Sequence, residues 1–103
     1  MSVYVGDLFP CTPTGRWRHA RAAHLFATTK DELLRFAKCH GLRLSWFQDR
    51  PGFPHFDVTA AVRDRLIDAD WAARPVSRRE EVVFARRQRE GTRALCLLEG
   101  EKL

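Results

Sequence analysis

The chain has little of what stabilises or anchors proteins from outside. Its 103 residues hold three cysteines, Cys11, Cys39 and Cys96. They form no CxxC pair and their number is odd, which argues against a zinc knuckle or a disulfide framework. Structural, buried thiols are expected instead. No apolar run approaches the ~18 residues that a membrane span needs, and no basic-then-apolar signal opens the chain. A cytoplasmic protein with no membrane partner is therefore expected. Also missing are HExxH, a Walker loop and GxSxG, the compact motifs that would name a reaction.

What is present is ordinary globular material: 45% hydrophobic and 30% charged residues. A chain of this length buries roughly two-thirds of its unfolded surface, so one core forms without staples. The reading is a single compact domain over residues 1–98, with a frayed tail at 99–103. The net charge is +5, and nearly all the excess is arginine. Such a surface favours nucleic acid, a nucleotide phosphate or an acidic protein. Arginine-rich composition that serves only solubility accounts for it equally well.

The pattern along the chain predicts an α/β fold with a small, mainly parallel sheet and three helices. Residues 2–6 read as a first strand, with Asp7 at its carboxyl end, where ligands gather in open α/β sheets. Residues 8–23 read as an irregular loop carrying Arg16, Trp17, Arg18 and Arg21. Interleaved Arg and Trp suit phosphate contact with base stacking. Thr29 and Glu32 form a capping box, and apolar residues at helical spacing with Gly41 as a stop predict a helix over about 29–40. Leu42 to Gln48 alternates and predicts a second strand, 42–48, parallel to the first through a right-handed crossover.

Pro51, Gly52 and Pro54 then force a turn. His55-Phe56-Asp57 follows in extended geometry, which puts His55 and Asp57 on one side and Phe56 on the other. A helix over about 59–69, capped by Asp57 or Thr59, carries Arg63 close to Asp57. Ser77 and Glu80 form a second capping box opening a helix over about 77–90. Its Arg86, Arg87 and Arg89 fall in the last turns, where cations suit the helix dipole. Ala94–Leu98 reads as a last strand.

The ordered segments VYVGD, HLFATTKDELLRFA, GLRLSWFQ, PHFDVT and PVSRRE resemble DUF4031, a family of small bacterial and phage proteins. Its pattern runs VYVD, HL-x-AD-x-x-x-ELHxFA, GL-x-x-x-x-FQ and PHYD. The resemblance covers most of residues 3–81 and implies a bacterial host cell. It points to Asp7, His24, Gln48, His55, Asp57 and Arg63 as site residues. This chain departs at Gly6, Thr28, Leu34 and Phe56, where the pattern has Asp, Asp, His and Tyr. It has thereby lost some of the family's polar positions.

The candidate catalytic set is Asp7, His24, His55 and Asp57, gathered at one sheet edge. Two His and two Asp suit either a divalent metal or a general acid and base. Arg16, Trp17, Arg18, Arg21, Gln48 and Arg63 are the candidate nucleic-acid or phosphate contacts. The expected function is binding of nucleic acid or a nucleotide phosphate, with metal-assisted phosphodiester or nucleotide chemistry at the His/Asp cluster. Alternatively, the protein is a non-enzymatic phage-type accessory or inhibitor that binds a host protein or ribonucleoprotein, with Trp17 and the arginines as its contact surface. A purely structural account also stands: Asp57 as a helix cap, His55 bonded to Asp7 or to a backbone carbonyl, and His24 as a partly buried polar residue leading into the first helix.

Overall fold

A computed structural model describes residues 3–15, 17–68 and 72–101, with side chains as far as residue 90. The expectations for Ser2, Arg16, Ala69, Trp71 and residues 102–103, and for the Cys96 side chain, lie outside these.

The elements run β1 (Val3–Val5), β2 (Phe9–Pro10), β3 (Arg21–Ala27), α1 (Lys30–Cys39) and a 3₁₀ turn (Leu44–Trp46). They continue with β4 (Phe47–Gln48), β5 (His55–Val58), α2 (Ala60–Asp68), β6 (Arg74–Pro75) and α3 (Arg78–Glu101). The six strands form a mixed sheet in the order β4-β5-β3-β1-β6, with β2 paired to β3. Only β1 and β6 are parallel; every other pair is antiparallel.

The mainly parallel sheet expected from the sequence is thus corrected. The chain does not cross from β1 through a helix to its neighbour. It turns back through residues 6–20, and β3 pairs antiparallel with β1, Tyr4 opposite Phe26 and Val5 opposite Leu25. Residues 21–23, read as loop, begin the central strand, and His24 lies inside it. The expected strand 42–48 shrinks to Phe47–Gln48. Leu42 is spent instead on closing α1: with Gly41 at φ +69°, its N–H reaches the Ala37 carbonyl at 2.9 Å, a Schellman stop.

The expected strand at 94–98 is helical, because α3 continues to Glu101. A short apolar run such as ALCLL cannot by itself separate strand from helix. Residues 99–101 belong to the same helix. Arg86, Arg87 and Arg89 therefore sit in its middle, and the dipole argument for them fails. The cysteines also differ from expectation, since Cys11 is half-buried and Cys39 exposed.

Both expected N-caps form, the second as a complete capping box. Thr29 Oγ1 accepts from the Glu32 N–H at 3.2 Å. Ser77 Oγ accepts from the Glu80 N–H at 3.2 Å, while Glu80 Oε1 accepts from the Ser77 N–H at 3.0 Å. Thr59 caps α2 by accepting from the Val62 N–H.

Strand alternation gives the sheet two unlike faces. Val5, Leu25, Phe56 and Val58 point to one side and are fully buried against Leu33 and Ala37 of α1 and Leu66 of α2. Each such side chain contributes roughly 1.5–3 kcal/mol of transfer free energy. Tyr4, Phe26, His24 and Asp57 point to the other side. There α3 lies across the sheet through Phe84, whose ring is 4.8 Å from Phe26 and 5.6 Å from Tyr4.

Candidate functional site

The pairing register assembles the site. Asp57 lies opposite His24, and Gln48 opposite His55. Directly opposed residues of antiparallel strands project to the same face, and His55 and Asp57 are two residues apart on one strand. Three short strands thereby bring His24, His55, Asp57 and Gln48 together beneath α3. Among the described residues, His24, His55 and Asp57 are the cluster of metal-type ligands, each offering one atom within 4.8 Å of the others.

Hydrogen bonds outside the cluster orient each member. His55 Nδ1 is 2.8 Å from the Phe53 carbonyl. That oxygen only accepts, so Nδ1 carries the proton, and in the neutral ring Nε2 holds a lone pair. His24 Nδ1 is 3.2 Å from Glu81 Oε1, a carboxylate from the first turn of α3. This fixes the same tautomer for His24. Gln48 Nε2 donates to Asp57 Oδ2, and Arg50 Nε donates to Gln48 Oε1 at 3.1 Å.

One atom is left over. Asp57 Oδ1 is buried and has no hydrogen-bond partner. It faces His24 Nε2 at 3.7 Å and His55 Nε2 at 3.6 Å. With both rings neutral, three lone-pair atoms converge with no proton between them, a costly arrangement unless a proton or a metal ion sits among them. A proton on His55 is a poor solution. Burial lowers its pKa from the ordinary imidazole value, and the nearby His24 lowers it further, against the raising effects of the Phe53 carbonyl and Asp57. Tetrahedral ligands with ~2 Å bonds lie about 3.3 Å apart. Asp57 Oδ1 is within a few tenths of an ångström of that from each imidazole nitrogen, whereas the set as a whole spans 4.8 Å, so closing on an ion requires the two rings to draw together. The partners at His24 Nδ1, His55 Nδ1 and Asp57 Oδ2 are of the kind that orient metal ligands.

Aromatic packing holds the two rings. His24 and His55 are 4.6 Å apart between centroids, with Phe53 stacked on His55 at 4.9 Å and Phe9 tilted against His24 at 4.7 Å. The cluster opens into a cavity of about 440 Å³, with Arg50 and Arg89 in its wall.

The other candidates lie elsewhere. Asp7 accepts from the Arg78 N–H at 3.2 Å, capping α3, and meets Arg63 at 3.8 Å. Arg63 also donates to the Gly6 carbonyl at 2.8 Å, so it braces β1 to α2 and is not bonded to Asp57. Trp17 is half-buried, its ring 5.3 Å from Trp46. Arg18 and Arg21 are exposed.

Residue-level reading missed Glu81, Phe53, Arg50 and Arg89. Glu81 carries the clearest signal, an acidic residue on the inward stripe of α3, one turn before Phe84. Its 8% exposure is unusual for a carboxylate. Gly6 makes room for it, because a Cβ there would lie 2.4 Å from Glu81 Oε1. The absence of a side chain at position 6, a departure from the DUF4031 pattern, is what admits this carboxylate.

The order of motifs and the comparison with known families agree. The chain belongs to the DUF4031 family. The family, described as proteins of unknown function, matches residues 4–88. That span holds every residue of the cluster and ends one residue before Arg89. No curated protein and no solved structure shows a significant match to the chain.

Proposed function

We propose that this DUF4031 protein binds a divalent metal through His24 Nε2, His55 Nε2 and Asp57 Oδ1 and uses it on phosphate esters of nucleotides or nucleic acid. The observation that carries the reading is the buried, unpartnered Asp57 Oδ1 facing two imidazole lone pairs. Two nitrogens and one carboxylate oxygen suit zinc, iron or manganese better than calcium. A metal held by three protein ligands keeps positions open for water and substrate. It lowers the pKa of bound water and polarises a phosphoryl oxygen. The basic residues in the cavity wall and the exposed Arg18 and Arg21 support a phosphate-bearing substrate in the cytoplasm of a bacterial host.

The alternative role, an accessory or inhibitor that docks on a host protein, needs Trp17 exposed beside the arginines. Its edge-on packing against Trp46 weighs against that.

The test is calorimetric titration of metal-stripped protein with Zn²⁺ and Mn²⁺, with cleavage of nucleotides and short DNA and RNA followed in parallel. One ion per chain should bind to the wild type and none to H55N or D57N at the same concentrations, with both variants folded by circular dichroism. No binding by the wild type, or equal binding by the variants, would reject the metal centre.

A further inference from the structure

The cavity beside the cluster carries more positive charge than the metal reading uses. Its wall includes Arg50 and Arg89, together with Phe9, Phe53 and Pro51. Both arginines are exposed at its rim. Neither is neutralised by a carboxylate among the described residues. Asp49, next to Arg50 in sequence, is taken by Lys30 at 2.7 Å. Arg50 spends only its Nε, on Gln48 Oε1, which leaves its terminal nitrogens free to donate.

Arg89 is placed by the backbone opposite it. Gly52 has φ +82°, in the region that favours glycine. A Cβ there would lie 2.4 Å from Arg89 Cγ. The Pro51–Phe53 turn therefore lies directly against the Arg89 stem, and the same turn delivers the Phe53 carbonyl to His55. The turn that orients one metal ligand also sets the arginine at the cavity wall.

We infer that the cavity recognises a phosphate monoester dianion, a terminal phosphate held by Arg50 and Arg89 against the metal, in preference to an internal diester. This rests on the metal centre proposed above. The Asp57 and Glu81 carboxylates offset a divalent ion, so the two guanidinium charges stay uncompensated. A monoester dianion matches both charges, whereas a diester carries one. Guanidinium forks also suit the several free oxygens of a terminal phosphate. A cavity of about 440 Å³ is in the range of small-molecule sites, and Phe9 and Phe53 give it apolar walls for the rest of the ester.

The experiment uses full-length protein loaded with Mn²⁺ at pH 8 and follows water-proton relaxation as anions displace metal-bound water. The probes are inorganic phosphate, phenyl phosphate and dimethyl phosphate. The first two should bind at least tenfold more tightly than the diester. R89Q should weaken them at least fivefold without changing Mn²⁺ affinity, because Arg89 touches none of the proposed ligands. Equal affinity for monoester and diester, or unchanged phosphate affinity in R89Q, would overturn this inference and leave the metal centre standing. Failure of the wild type to bind Mn²⁺ would overturn both.

Discussion

The two faces of the sheet are built from the same strands and obey opposite rules. On one, Val5, Leu25, Phe56 and Val58 meet α1 and α2 with every group satisfied by packing. On the other, His24, His55 and Asp57 meet beneath α3 with a buried oxygen left unpaired. Neighbours in sequence are divided between them: Leu25 goes to the core and His24 to the site, Phe56 to the core and Asp57 to the site. The first face is organised for stability. The second keeps an unfavourable arrangement in the metal-free protein, as a preformed site would.

Paired substitutions at adjacent positions should separate the faces most sharply. Phe56→Ala leaves a large cavity at a fully buried position and should cost about 3–5 kcal/mol in urea unfolding. Asp57→Asn should cost nothing in the metal-free protein. The Asn oxygen still accepts from Gln48, and its new amide can donate to an imidazole lone pair. A gain of about 1 kcal/mol is expected from pairing the orphaned position, together with complete loss of metal binding. If Asp57→Asn instead destabilised the metal-free protein as much as Phe56→Ala does, the carboxylate would belong to the fold and the contrast between the faces would collapse.

A smaller effect tests how α3 serves the second face. Glu81 is one residue removed from the proposed ion, acting through His24 Nδ1. Glu81→Gln should lower metal affinity about 10–100-fold, the usual consequence of losing a partner that orients a ligand. The melting temperature of the metal-free protein should move by only a few degrees. Gly6→Ala should reproduce the affinity loss by pushing the carboxylate aside, since its Cβ would overlap Glu81 Oε1. Unchanged affinity in both variants would reduce Glu81 to a packing residue.

The two faces also differ in how far they could be read beforehand. Local chemistry was legible: both N-caps, the Gly41 stop and the extended His55-Phe56-Asp57 segment follow from side chains acting on nearby backbone. His24, Gln48, His55 and Asp57 were all candidates, and they do meet. Pairing was not legible. The segment RAAHLFA is buried along most of both sides, so it shows no polar alternation, and its alanines and His24 have weak strand preference. Missing β3 turned a mixed sheet into a parallel one. It also placed Asp7 at the site, when its contacts are with Arg63 and the start of α3. Glu81 stayed hidden for a different reason. Only the lie of α3 across the sheet shows that this carboxylate, 57 positions from His24, faces inward.

The smallest effect concerns protons. Burial lowers the His55 pKa below the ordinary imidazole value, so the unfolded chain takes up a proton at higher pH than the folded one. The contribution to stability is therefore complete above about pH 6.5, the ordinary imidazole value. It is lost as pH falls through the folded value, with a slope no steeper than about 1.4 kcal/mol per pH unit for one group. The side chains that build the apolar face, Val5, Leu25, Phe56 and Val58, do not titrate and should add nothing over this range. Urea unfolding of metal-free wild type and H55N between pH 7.5 and 5 isolates the effect. The wild type should lose more stability on acidification than the variant, and the two curves should run parallel above pH 7. Saturating Zn²⁺ should steepen the wild-type loss, because protons and metal compete for the same Nε2 lone pairs. Parallel curves over the whole range, with and without the ion, would mean that His55 is not held neutral by its burial, and the case for a cation among the three lone pairs would lose its second support.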